Sequence, residues 1–156
     1  MYIIAFQIEI SDHENKQILE DYSWWPELVK KIASKADKFE IRCWPDEPEA
    51  IATGQRFGRQ IENKRTTEAV FKGPITEAFL QHICRDYLDE AGALKWFTLN
   101  LYRGEEGLFH SGHYGSEPVV YVKTKEEMLQ LKEWSKQYPA IWRVDVHKHP
   151  QKEAGL

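Results

Sequence analysis

The sequence predicts an α+β fold: a mixed, mostly antiparallel sheet of about six or seven strands with helices packed on it. Three observations carry this. Leu94 to Lys123 reads as three successive strands, with a turn at Gly104-Glu105-Glu106-Gly107. The N-terminal segment and the segment from Pro118 to His147 each read β-α-β. Period-two stretches and helical stripes alternate between them. The pattern leaves room for two ferredoxin-like halves. No repeat, low-complexity stretch or linker divides the chain, so residues 1–147 are expected to form a single α+β domain and 148–156 a frayed C-terminal tail.

In chain order, Tyr2 to Ile10 is a largely apolar, central strand. Ser11 and Glu14 form a capping box, which predicts a helix to about Asp21. Pro26 interrupts, because a residue preceding proline avoids helical angles. A second helix then carries Leu28, Val29, Ile32, Ala33 and Ala36 on one stripe. Lys38 to Trp44 alternates as a strand, with Phe39, Ile41 and Cys43 inward. A short helix follows from about Pro48, and Arg59 to Lys72 gives one or two exposed strands. Gly73-Pro74 turns the chain, and Thr76 caps a helix running to about Glu90. In the following hairpin, pairing Arg103 with Leu108 puts Phe97, Leu99, Leu101, Leu108, His110 and Tyr114 on one face. Trp96, Thr98, Asn100, Tyr102, Phe109, Ser111 and His113 then occupy the other, and a slip of one residue would exchange the second strand's faces. Thr124 and Glu127 box the N-terminus of the last helix, and Ala140 to His147 is the last strand.

Composition bounds the function. The chain has 156 residues, 42% hydrophobic and 29% charged, with a formal net charge of −4. It has no basic block, which argues against nucleic-acid binding. No run approaches a membrane span, and the start MYIIAFQIEI lacks a basic n-region, so a cytoplasmic protein without membrane contact is expected. Cys43 and Cys84 suit two buried thiols in a reducing compartment. Six Trp, seven Tyr and seven Phe are available for core and interface alike.

Candidate chemistry centres on the histidines. His110 and His113 could ligate a metal, with His147 and His149 as further donors, but no metal-binding spacing accompanies them. His113 with Ser111 and Thr98 could form the acid/base and nucleophile set of a small hydrolase or transferase. No G-x-S-x-G elbow is present, and a strand histidine bonded to neighbouring hydroxyls is the plainer reading. No cofactor motif occurs. The stronger expectation is a binding surface built from Trp24, Trp25, Trp96, Tyr102 and His113, with Trp44-Pro45 beside them. Pro26 should hold at least one indole at an element end. An acidic, aromatic-rich α+β chain without an enzyme signature suits a non-catalytic protein that binds a protein partner, such as a toxin-neutralising immunity protein or a similar regulator.

Overall fold

A computed structural model describes residues 1–13 and 16–149. The elements are β1 (Tyr2–Ile8), β2 (Ile10–His13), β3 (Lys16–Leu19), α1 (Trp24–Ala33), β4 (Lys38–Cys43), α2 (Pro48–Phe57), β5 (Arg59–Ile61), β6 (Ala69–Pro74), α3 (Glu77–Arg85), β7 (Thr98–Arg103), β8 (Glu106–Gly112), β9 (Glu117–Val122), α4 (Lys125–Ser135) and β10 (Ile141–Lys148). The α+β class predicted from the sequence holds. Eight strands form one sheet in the order β10-β1-β9-β8-β7-β4-β6-β5, and every adjacent pair is antiparallel. Two split β-α-β units are visible in this order. β6-α3-β7 flanks β4, and β9-α4-β10 flanks β1. β1 is therefore second from an edge rather than central.

Register explains where the core sits. One row across the sheet runs Ile4, Val120, Phe109, Leu101, Phe39 and Gly73. These belong to the face on which α1 to α4 pack. Leu28, Val29, Ile32, Phe79, Ile83, Met128 and Leu131 join Ile4, Phe39, Leu101 and Phe109 in a single buried cluster. The adjoining row runs Asp145, Ala5, Val119, His110, Asn100, Glu40, Lys72 and Arg59 across the other face.

Several expectations are corrected. Ile10–His13 and Lys16–Leu19 pair as antiparallel strands where the Ser11 capping box implied a helix (residues 14 and 15 lie outside the described ones). The segment offers only Ile18 and Leu19 as apolar residues after Ile10. A helix there would have no stripe to bury, whereas Ile10 pairs directly with Leu19. α1 begins at Trp24, not at Pro26. A proline in the first helical turn costs little, because the N–H it lacks would have no partner there. α3 stops at Arg85 rather than near Glu90, and Leu88 and Leu94 bridge to close the following loop. β6 is buried at Ala69, Val70 and Phe71, so only β5 is fully exposed in that region.

The organising hairpin is one residue out of the expected register. Asn100 pairs with His110 and Leu101 with Phe109, with a bulge after Leu101. Arg103 faces Glu106, and Gly104 takes φ +59 in the turn between them. Phe109 and Ser111 thus turn into the core and His110 moves to the face opposite the helices, while Leu108, the extra residue of the bulge, stays packed against the core as expected. At the C-terminus β10 continues through Lys148, and His149 exchanges both backbone hydrogen bonds with Met1. Main-chain pairing therefore holds two residues that the sequence places in the tail. Residues 150–156 lie outside the described ones.

Candidate functional site

β4 and β8 finish at the same end of the sheet at which β7 and β9 begin. There the chain leaves β8 through a left-handed turn: φ is 46° at His113, 56° at Tyr114 and 84° at Gly115. A non-glycine residue held in this region costs about 1–3 kcal/mol and persists only where its surroundings impose it. Here the backbone N–H of Tyr114 donates to the Phe97 carbonyl (3.1 Å), and the Tyr22 hydroxyl donates to the Tyr114 carbonyl (3.2 Å). Gly115 is pressed against the core. A Cβ there would lie 3.1 Å from Leu94, 3.4 Å from Tyr22 and 3.5 Å from Trp25.

The turn projects an aromatic wall. Phe97 packs with its ring centre 5.2 Å from each of Trp44, His113 and Tyr114. Trp44, Phe97 and Tyr114 are half-buried, and His113 is exposed. Glu47 ties this wall to the start of α2. Its Oε1 accepts from the Trp44 N–H (2.8 Å), and its Oε2 accepts from the Tyr114 hydroxyl (3.1 Å). Burial, the charge and hydrogen bond of Glu47, and the nearby Asp46 and Asp89 all push the Tyr114 phenol above its ordinary pKa, keeping it a neutral donor.

Glu47 also lines a cleft of about 320 Å³, with Glu49 and Ala50 from α2 on one side and Asp89, Glu90 and Lys95 on the other. Lys95 is its single lining cation, and only 10% of that side chain is exposed. Its Nζ lies 2.9 Å from Asp86 and 3.6 Å from Glu49. The Lys95 hydrogen bond holds the Asp86 carboxyl below the usual carboxylate range. Asp89 accepts the N–H groups of Ala91 (2.9 Å) and Ala93 (3.0 Å), which shapes the loop. Glu47 and Asp89 therefore maintain the fold, while the exposed Glu49 and Glu90 give the cleft rim its accessible negative charge.

The sequence-predicted residues divide sharply. Trp24, Trp25 and Trp96 are each 0% exposed, which corrects the expectation that an indole stands at the surface. Placed in the first turn of α1, Trp24 and Trp25 face inward with the helix stripe. Trp25 stacks between Trp96 (5.8 Å) and Tyr87 (5.9 Å). Because Trp25 also borders Gly115, its indole lies beneath the left-handed turn rather than on the wall. Tyr102 belongs to the face opposite the helices, beside Lys38. Of the five expected binding residues, only His113 stands in the aromatic wall.

The hydroxyls expected to accompany His113 are not brought to it. Ser111 is wholly buried on the helix side and accepts the Trp25 indole N–H at 3.0 Å. Thr98 is buried on the opposite face. His113 instead has Nε2 3.6 Å from Glu117. His110 donates through Nδ1 to Asn100 Oδ1 (2.6 Å). Among the described residues, no three His, Cys, Asp or Glu side chains gather as a set that could hold a metal ion.

Sequence reasoning missed Phe97, Tyr114, Glu47 and Glu49 as neighbours. Trp44-Pro45 and His113 were its pointers to this end of the sheet. No family model, curated protein or solved structure matches this chain. No helix among the described residues is long and apolar enough to cross a membrane.

Proposed function

We propose that this chain is a non-catalytic binding protein that docks a basic protein partner on the aromatic wall and acidic cleft beside β4 and β8. A toxin-neutralising immunity protein, or a regulator of the same kind, would use such a surface. The carrying observation is the left-handed turn at His113 and Tyr114, braced by the core and coupled through Glu47 to the rim of the cleft. A fold carries unfavourable backbone angles of this sort where something is gained from the presentation. Half-buried aromatics beside a rim with more carboxylates than cations combine the two features of a specific charged interface. The rings provide contact area, and the rim provides steering and orientation. Lys95 is shared between Asp86 and Glu49, so the rim keeps an excess of negative charge, with Glu90 and the exposed Glu49 facing a cationic partner.

The test is coexpression of the chain with each open reading frame flanking its own. One basic product should co-purify in a stoichiometric complex, and the substitution pair E49K/E90K should release it. Trp44→Ala should weaken the same complex by about 2 kcal/mol, the scale of an aromatic hot spot. Failure of every flanking product to bind, or a complex indifferent to both variants, would reject the proposal.

A further inference from the structure

β10 is an edge strand eight residues long, against three residues for β5 at the opposite edge. Met1 and His149 exchange both main-chain hydrogen bonds, and the register continues unbroken from Tyr2↔Lys148 to Gln7↔Arg143. Bonded and non-bonded pairs alternate along an antiparallel ladder. Arg143, Asp145 and His147 therefore commit their main-chain groups to β1. Those of Val144, Val146 and Lys148 point away from the sheet, and no strand among the described residues takes them. A long open edge of this kind is a template for another strand. Trp142, the most exposed large hydrophobic among the described residues at 57%, lies on the same strand.

We propose that β10 pairs with β10 of a second copy of this chain, antiparallel about a twofold axis through Val144, joining the two sheets into one. The charges select this occupant and this register. With Val144 opposite its own copy in a bonded pair, Val146 stands opposite Trp142. Arg143 stands opposite Asp145 of the second copy, twice over by symmetry. These are non-bonded pairs, in which cross-strand side chains approach most closely and opposite charges favour pairing. Both residues lie on the face opposite the helices, where Arg143 Nε already sits 3.2 Å from Asp145 of its own chain and Asp145 accepts from Gln7 Nε2 (3.0 Å), so pairing joins two such ion pairs into one alternating four-charge cluster. Moving the axis to Val146 would set Arg143 opposite His149 and forfeit both Arg–Asp pairs.

The experiment is sedimentation velocity on the full chain, from a few micromolar to about 100 μM, a range suited to an interface at the small end of the scale. A concentration-dependent dimer is expected. Arg143→Asp and Asp145→Arg, each facing like charges across the axis, should raise its dissociation constant roughly tenfold or more, and the double variant should restore it. Val144→Pro should abolish the dimer while leaving the circular dichroism of the monomer intact, because the N–H it removes faces outward. Where that variant fails to fold, the charge swap decides. A wild-type chain monomeric throughout, or a dimer unaffected by either single charge reversal, would overturn the proposal.

Discussion

Ser111 shows how one side chain can decide the character of a region. It carries a hydroxyl into a core otherwise lined by Leu99, Leu101 and Phe109, and it is there because the Trp25 indole N–H needs an acceptor. Ser111→Ala removes that acceptor and leaves a buried donor unpaired, at a cost of about 1–3 kcal/mol. Trp25→Phe removes the donor instead, and in that background Ser111→Ala should cost less. Chemical denaturation of the two single variants and the double variant measures this coupling, and strictly additive losses would contradict it. The sequence displayed Ser111 beside two histidines and so suggested chemistry. What it could not display was the hairpin register, which a single bulge after Leu101 decides. The same slip sent His110 outward to Asn100, and it separated Ser111 and Thr98 from His113. The tryptophans were misplaced for a related reason. A proline in the first helical turn leaves the preceding residues helical, so Trp24 and Trp25 joined the buried stripe instead of standing at a break.

At the scale of elements, legibility followed the local physics. The Thr76 and Thr124 caps are present as read, accepting from the N–H groups of Phe79 and Glu127 at 3.1 Å each. Both precede helices with an apolar face to bury. Ser11 carried the same motif without such a face, and strand pairing won. The sheet face opposite the helices was legible as alternation in β4 and β7 but not as a network. There Glu40 is only 3% exposed and accepts from Arg42 Nε (2.8 Å) and Asn100 Nδ2 (3.0 Å), with Lys72 3.4 Å away. Burial alone would raise the Glu40 pKa. The hydrogen bonds and charges of Arg42, Asn100 and Lys72 outweigh it, and the folded pKa lies below the unfolded one. Such a group stabilises the fold above its unfolded pKa, and that contribution disappears as pH falls through the folded value. Glu40→Gln should therefore cost about 2 kcal/mol at neutral pH, less than a fully buried ion pair because Arg42 and Lys72 reach solvent. It should also flatten the loss of stability in acid, below the ordinary carboxylate range. Urea midpoints across pH check both. An acid limb as steep in the variant as in the wild type would rule out Glu40 as a contributor.

For the molecule as a whole, the cysteines and the charge distribution speak to environment and partner. Cys43 and Cys84 are free and buried, and burial pushes their thiols up to about 12 and about 11. Neither is activated for reaction at neutral pH. Reductant should leave the melting temperature unchanged, and a disulfide-exchange reagent should modify both thiols only as fast as the protein opens. Rapid stoichiometric labelling of the native protein would contradict this packing. Charge is divided along α2. Its N-terminal end borders the acidic cleft, while Arg56 at its other end lines a broad hollow of about 720 Å³ with Lys38, Arg59 and Lys72. Acids at the start and cations at the end of a helix also suit its dipole, so this polarity stabilises α2 independently of any partner. What singles out the acidic end is the aromatic wall and the braced left-handed turn beside it. The most direct measurement of its role is the affinity of a basic partner recovered by the proposed coexpression for the wild type and for E49K/E90K, each at low and at moderate salt. Docking on this cleft predicts at least roughly tenfold weaker binding by the variant and a shallower dependence of its affinity on salt. Equal affinities with equal salt dependence would place the partner elsewhere and contradict the account.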